Sequence, residues 1–311
     1  MIALNSGDWI FPEMTQSDIA DKCPRNEHQM TRSGQKSPDL WSLCDFEIID
    51  VLAKTRNRVV YEAKEMESKR LCVVKAYSKS VAVTNHSHRQ IERELRIHGA
   101  LSHTNIVQFY AWFFDSRSIY MVLESCSLSL SKLISSKYPK GTPVHLGLNI
   151  CRQLNSALVY VHSLNVLHRD IKPSNVYLQA VGGRYTVKLG DFGSAVHTRP
   201  DDLRLSIQGT TPYLAPEIVD GLGHSFPVDI WSLGITFHET LTGQLPFDGP
   251  LPNTIYKAIH NADYSPPSDL IPVSGPSSVA HSILKQCIQK NPLIRPTAQQ
   301  LANKFSSSDN N

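Results

Sequence analysis

The chain has 311 residues, 41% of them apolar, and a formal net charge of +3. That supports a substantial core in one large domain or two lobes, and it is too little charge to argue for a nucleic-acid surface. No apolar run reaches the roughly 18 residues of a membrane span, and MIALNSGDWIFPEMTQ lacks a basic region ahead of a long apolar stretch, so neither a membrane helix nor a signal peptide is expected. Cys23, Cys44, Cys72, Cys126, Cys151 and Cys287 contain no CxxC pair. They read as reduced thiols of a cytoplasmic or nuclear protein, not as a disulfide or zinc framework.

Residues 1–45 are polar and mixed, without a sustained period, and are expected to form a flexible arm; 306–311 read as a flexible tail. From 46 to 123 the segments FEIIDVLA, VVYEAKE, RLCVVKAYS, IVQFYAWFF and SIYMVLE are short and rich in Val, Ile, Tyr and Phe, which predicts strands. One helix is predicted among them over 84–100, with Ile91, Leu95 and His98 on one face. After a connecting stretch, 124–127, the texture turns helical through 128–305. There LGLNICRQLNSALVYVHSL places Ile150, Leu154, Leu158 and Val161 at helical spacing, and VDIWSLGITFHETLT does so with Ile230, Leu233, Phe237 and Leu241. The fold class is therefore α+β, with a small antiparallel β-rich lobe carrying one helix and then a larger helical lobe. A cleft between two such lobes is a natural ligand site.

The segment VLHRDIKPSNVYL carries Asp170, Lys172 and Asn175, and VKLGDFGSA follows with Asp191. Phosphoryl transfer from ATP needs a carboxylate to accept or orient a hydroxyl proton, oxygen ligands for Mg²⁺, and cations on the phosphates. Asp170 can supply the first, Asn175 and Asp191 the second, and Lys172 can neutralise charge on the transferred group.

These motifs resemble the eukaryotic protein kinases, whose catalytic loop reads H-R-D-x-K-x-x-N and whose metal motif reads D-F-G. The resemblance covers 46–305. APE ending at Glu217, VDIWSLG with Asp229, and Arg295 in NPLIRPTA match the family's framework motifs, Asp229 bracing the catalytic loop and Arg295 pairing with Glu217. In CVVK, Lys75 stands at the family's phosphate-binding lysine, and Glu94 in RQIERELRI at its partner. The resemblance further implies a bilobal kinase fold, with adenine under Leu52, Val60 and Val73, above Tyr177, beside Leu123 at the gatekeeper position, and against hinge backbone groups of Glu124 and Cys126. His98 takes the place of an aliphatic residue that stacks toward Phe192; a buried neutral imidazole is expected there.

VLAKTRNRVVY, 51–61, departs from the family. The three positions of its glycine-rich phosphate loop hold Ala53, Thr55 and Arg58. Glycine lets backbone amides approach the phosphates, so side chains there raise the cost of that approach, while Lys54, Arg56 and Arg58 offer cations instead. Two outcomes follow: a working kinase with a weakened lid, or a pseudokinase scaffold that binds nucleotide poorly. The six retained residues Lys75, Glu94, Asp170, Lys172, Asn175 and Asp191 favour the former.

Lys172 in D-I-K-P-S-N resembles Ser/Thr kinases. Arg169 precedes the catalytic Asp, and the resemblance implies that it receives a phosphate carried by Ser206 in the activation segment, 191–217. Thr210 is expected to orient the catalytic loop. GTTPYLAPEI resembles Aurora and Polo-type kinases, while ITFHETLTGQLPF and RPTA are also similar to Mos and other activators of mitogen-activated protein kinase kinases. The expected partners are ATP, Mg²⁺ and a protein substrate with a Ser or Thr acceptor, a mitogen-activated kinase kinase under the Mos reading. A monomer without nucleic-acid or membrane partners is expected.

Overall fold

Residues 41–79, 85–199, 203–206, 208–267 and 275–308 are described by the computed structural model. The expected arm up to position 40, Cys23 and residues 309–311 lie outside them. Contacts divide the chain into two units, 1–88 with 110–123, and 89–109 with 124–311.

In the first unit the β-branched and aromatic runs form a five-stranded sheet. Its strands are β1 (Phe46–Lys54), β2 (Arg58–Glu65), β3 (Leu71–Ser78), β4 (Phe109–Phe114) and β5 (Ser118–Glu124), in the order β1-β2-β3-β5-β4. Side chains alternate between faces along a strand. Ala63, Cys72, Val74, Ala76, Tyr120 and Val122 accordingly share one core with Phe46 and Phe113. Phe113 stacks on both Phe46 and Tyr120, with centroids at 5.8 and 4.8 Å. Alternation turns Val73, Lys75 and Leu123 to the opposite face.

The expected arm is too long at its inner end. Trp41 packs edge-on against Phe46 at 5.3 Å, and Leu43–Asp45 form a 3-10 turn closed by the Ser42 amide on Asp45 Oδ2 at 2.7 Å. An aromatic residue next to the first strand has apolar area to bury, so Trp41 and Leu43 pack against the sheet's core. The strand expected from Ile106 starts only at Phe109. Ile106 instead bridges Leu189 in parallel, and the Val107 amide donates to Leu189 O at 2.9 Å.

The predicted helix is α1 (Asn85–Gly99). The sequence reading assigns it to the β-rich part, yet from Arg89 onward its contacts lie in the second unit. Ile97 and Leu101 belong to that unit's core, because the face carrying them meets the helical half. The core is then built by α2 (Leu130–Lys137), α3 (Val144–Ser163), the short α4 (Pro216–Val219), α5 (Pro227–Thr242), α6 (Pro252–Asn261), α7 (Pro276–Cys287) and α8 (Ala298–Ser308). On α3, Ile150, Leu154, Leu158 and Val161 are all buried. Every residue from Val228 to His238 of α5 is buried, as expected of a helix enclosed on all sides. Helix α8 runs to Ser308, so 306–308 of the expected tail are helical. Short strands β6 (Leu128–Ser129), β8 (Val176–Val181) and β9 (Arg184–Leu189) form one small sheet, and β7 (Val166–Leu167) with β10 (Val196–His197) another. Among the described residues no helix is long and apolar enough to cross a membrane.

One buried ion pair joins distant parts of this unit. Arg295 donates through Nη1 to Glu217 Oε1 at 2.6 Å and through Nη2 to Glu217 Oε2 at 2.8 Å, with side chains 0% and 4% exposed. Its remaining donors reach the carbonyls of Gln289, Pro227 and Lys290, and its guanidinium lies 5.0 Å from the Trp231 ring. Removing one partner strands the other charge in the core. Arg295→Ala is expected to cost about 3–5 kcal/mol in urea unfolding, and Glu217→Ala with Arg295→Ala less than the sum of the single changes.

Candidate active site

In the first unit a hairpin and one sheet face carry several of the residues expected from the sequence. Val60 pairs with Lys75 and Glu62 with Val73 across β2 and β3, so Val60, Val73 and Lys75 share the face away from the unit's core. Lys75 is 6% exposed. The register slips between Val51 and Ala53, which leaves Leu52 as the extra residue of a β-bulge, with Ala53 opposite Val60. The turn is closed by the Thr55 amide on Arg58 O at 2.8 Å and the Arg58 amide on Thr55 Oγ1 at 3.2 Å. No residue between 51 and 61 has a positive φ. That is the physical reason the hairpin closes without glycine: none of its positions needs the left-handed region.

In the second unit, the loop between β7 and β8 brings Asp170, Lys172 and Asn175 together. Asp170 Oδ1 accepts from Thr210 Oγ1 at 2.8 Å, and Oδ2 accepts from Asn175 Nδ2 at 2.9 Å and faces Lys172 Nζ at 2.8 Å. Lys172 Nζ also donates to Thr210 Oγ1 at 2.5 Å. A carboxylate offers about four acceptor sites. With three in use, the remaining one is on Oδ1, where an incoming hydroxyl can donate. Asn175 spends its amide nitrogen on Asp170, both on the carboxylate and on the backbone carbonyl at 2.8 Å, and its carbonyl oxygen is by its chemistry an acceptor.

The loop is braced from beneath by Asp229 at the start of α5. Its carboxylate, 0% exposed, accepts the amides of His168 and Arg169 at 2.9 Å each and meets His162 Nε2 at 2.9 Å. Burial would raise its pKa, but the His162 hydrogen bond and the charges of His162 and His168 outweigh burial and hold the carboxyl below its usual range. Arg169 and Asp191 both adopt left-handed backbone, with φ of 68° and 59°. Such non-glycine residues cost of order 1–3 kcal/mol and persist only where surroundings over-determine them. Two glycines answer to the same crowding. A Cβ on Gly193 would come 3.1 Å from Glu94 Oε2 and 3.4 Å from Asp191 Oδ1, and one on Gly209 would sit 2.7 Å from Arg169 O.

Phe192 is fully buried, 4.8 Å from His98 and 4.9 Å from His168 by ring centroids. His98 is 0% exposed and its Nε2 meets Val107 O at 2.7 Å, as expected for a core imidazole stacked toward Phe192. Glu94, on α1, is 3% exposed. It falls in the second unit and Lys75 in the first. Glu124 spends its carboxylate on Lys188 Nζ at 3.0 Å and the Gln108 amide at 3.0 Å, so its side chain is committed within the second unit. Burial, then the Glu124 charge, pushes the Cys126 thiol up to about 12, which leaves it an unreactive thiol. Tyr177 pairs with Lys188 on β9 and its ring reaches Gly190, where a Cβ would stand 2.9 Å from Tyr177 Cε2.

Arg169 donates through Nη1 to the exposed Ser206 Oγ at 2.9 Å and through Nε to Ser194 O at 2.8 Å. Burial, with Arg93 and Arg204 adding like charge against the opposing Asp229, brings its pKa down to about 10. Sequence reasoning passed over several residues here. Arg93 and Arg204 had a local signal, one adjacent to Glu94 and the other two residues before Ser206. His162, the partner of Asp229, had none, since α3 and α5 meet only in the fold. The Tyr213 hydroxyl on Glu239 Oε2 at 2.6 Å was also not foreseen.

The comparisons with known proteins agree with this geometry. The protein kinase domain family model matches residues 46–305. The chain is 34% identical over 256 residues to the serine/threonine-protein kinase Aurora-1 of Arabidopsis thaliana, covering 81% of this chain and 84% of that protein. It is 33% identical to Aurora kinase A-A of Xenopus laevis, covering 81% and 59%, and 32% identical to the serine/threonine-protein kinase plk-1 of Caenorhabditis elegans, covering 78% and 36%. The chain belongs to the protein kinase family. Within it, the chain is a serine/threonine protein kinase of α+β fold, acting on protein substrates. The family as a whole uses ATP and Mg²⁺.

Asp229 carries a pH signature. A carboxyl with a depressed folded-state pKa stabilises fully above its unfolded value and loses that contribution as pH falls through the folded one. Asp229→Asn leaves one acceptor for two amides, which is expected to cost about 1–3 kcal/mol at pH 7 in urea unfolding. The gap to the wild type is expected to narrow as pH falls below about 4.

Proposed function

We propose that this chain transfers the γ-phosphoryl group of ATP to Ser or Thr hydroxyls of a protein, with Asp170 as the group that accepts or orients the hydroxyl proton. The observation that carries this reading is the Asp170 carboxylate itself. Three donors hold it, and one acceptor position is left on Oδ1.

Lys172 is proposed to sit beside the transferred group, held by Thr210 and Asp170 so that its charge is fixed in place. Asn175 and Asp191 would hold Mg²⁺, which when bound screens the phosphate charge. Their donor set fits a hard cation: a carboxylate on a left-handed turn and a carboxamide whose nitrogen is already engaged. Lys75 is assigned to the phosphates and Glu94 to that lysine. Leu52, Val60, Val73, Leu123, Glu124, Cys126 and Tyr177 are assigned to the base, as the resemblance to the protein kinases implies. Glu124 and Cys126 serve through backbone groups, since the carboxylate of the first is spent and the thiol of the second is held neutral. The pseudokinase alternative rests on the missing glycines alone, and the hairpin's negative-φ backbone supplies a reason for their absence other than decay.

Ser206 is proposed as a regulatory phosphorylation site. Burial, and then the charges of Arg93 and Arg204, lower the pKa of Arg169, which Asp229 offsets; burial and Arg204 lower that of Arg93, which Glu94 offsets. A phosphate dianion on Ser206 would relieve that like charge and tie the segment to the catalytic loop through Arg169. The named relatives favour an Aurora- or Polo-type setting and lend no support to a Mos-type cascade role or a mitogen-activated kinase kinase substrate. A cytoplasmic or nuclear location is proposed, supported by the thiol state of the five described cysteines.

Purified chain with radiolabelled ATP, Mg²⁺ and a generic protein acceptor is expected to show transfer. Asp170→Ala is expected to reduce it by about 10²–10⁴-fold with the fold intact by circular dichroism. Equal transfer by both proteins, or none by the wild type, overturns the assignment. Ser206→Ala is expected to lower kcat in the phosphorylated preparation and to leave phosphatase-treated protein unchanged; full activity in the former retires the regulatory role.

A further inference from the structure

A short pairing ties the activation segment to the chain that follows α4. The Arg204 amide donates to His224 O at 2.9 Å and the His224 amide to Arg204 O at 3.0 Å, an antiparallel bridge of directly opposed residues. Opposed residues point to one face, and their chain neighbours to the other. The outer face carries Leu203 and Leu205, 59% and 72% exposed, with Leu203 over Gly223, where a Cβ would stand 2.7 Å from Leu203 Cβ. The inner face takes Arg204, His224 and, two residues on, Ser206, which meets Arg169 Nη1 at 2.9 Å.

His224 is the member of that face without a role so far. It is 2% exposed. Among the described residues neither of its ring nitrogens makes a well-formed hydrogen bond, the Leu222 backbone giving only a weak approach. A buried polar group left in that state costs about 1–3 kcal/mol. The charged groups around the ring are Arg169 of the catalytic loop, Glu217 of α4 and Asp229 of α5, with Arg204 opposite it on the activation segment. Both carboxylates are spent, Glu217 on Arg295 and Asp229 on the amides of His168 and Arg169 and on His162. Burial, then the Arg169 charge, lowers the His224 pKa against the weaker pull of Glu217, the Leu222 backbone and Asp229, so the ring is neutral at pH 7. Arg93 Nε is also buried without a hydrogen bond among the described residues.

We propose that His224 is a ligand of the phosphate on Ser206, donating a ring N–H to a phosphate oxygen and taking up one proton from solvent as it does so. This contact rests on the phosphorylation of Ser206 proposed above and adds to it a partner whose charge changes. Diagonal neighbours across an antiparallel pair lie about 7–8 Å apart, within reach of long side chains. A serine hydroxyl is too short to cross that gap, whereas phosphorylation adds a dianion with three acceptor oxygens. The arginines remain charged throughout the neutral range, while an imidazole changes charge within it. An adjacent dianion favours the imidazolium, so the bound state raises the His224 pKa. The contact is therefore strongest below that raised value and fades as pH rises through it. Below about pH 6 it weakens again, because the phosphate itself takes a proton.

Phosphoserine placed at 206 during synthesis of the full chain makes the test independent of any activating enzyme. The His224 ring signal, assigned through its own backbone resonances in NMR, is expected to titrate below about 6.5 in the Ser206 protein. In the phosphoserine protein it is expected to titrate about one pH unit or more higher. The phosphorus signal is expected to titrate below about 6 and to move back towards that value in His224→Gln. A His224 signal that titrates alike in the two proteins overturns the proposal, and so does a phosphorus titration that His224→Gln leaves unchanged. The gain in kcat from phosphoserine is expected to be larger at about pH 6.5 than at about pH 8, and His224→Gln to flatten that difference. If the ring and phosphorus signals move while kcat ignores the phosphate at every pH, the contact stands and the regulatory reading of Ser206 falls.

Discussion

The catalytic loop depends on one buried carboxylate. Asp229 sits at the start of a helix enclosed on all sides and accepts two successive backbone amides, those of His168 and Arg169. Those two bonds hold Arg169 in left-handed backbone, and that turn directs Asp170 toward Asn175, Lys172 and Thr210. A carboxylate without solvent is costly unless its lone pairs are filled, and here His162 fills what the amides leave. Stability and geometry are thus linked at one residue. The group that needs the loop's amides for its own solvation is also the group that fixes the loop.

The same loop collects opposite charges on its two sides. On one side Asp170 is held by a lysine, an amide and a hydroxyl, a balanced set that keeps the carboxylate oriented. On the other side Arg169 meets Arg93 and Arg204, a set with excess positive charge. The two sets of partners thus meet at consecutive residues of the chain, Arg169 and Asp170.

The hairpin over 51–61 shows why a motif can be lost without its element. A glycine-rich loop is required only where the backbone must take positive φ or come within contact distance of a ligand. This hairpin has no positive φ between 51 and 61, and Thr55 and Arg58 close it with two backbone amides and one hydroxyl. What it presents is a set of basic side chains, Lys54, Arg56 and Arg58.

Much of the fold and of the site was legible in the sequence because it is written in local spacing. Short runs rich in Val, Ile, Tyr and Phe gave the strands, the Ile150–Leu154–Leu158–Val161 spacing gave α3, and the loop from 168 to 175 is short enough for its residues to be neighbours in any fold. The order of residues alone therefore determined the chemistry available at Asp170, Asn175 and Asp191, while the pairing of Glu217 with Arg295 was implied by the resemblance to the protein kinases. Only the tertiary structure decided that α1 packs with the helical half, that Trp41 and Leu43 pack against the sheet's core, that His162 completes Asp229, and that Arg93 and Arg204 converge on Arg169. Each of these joins residues from separate elements, and such contacts depend on how buried faces meet in three dimensions, which no spacing along the chain encodes.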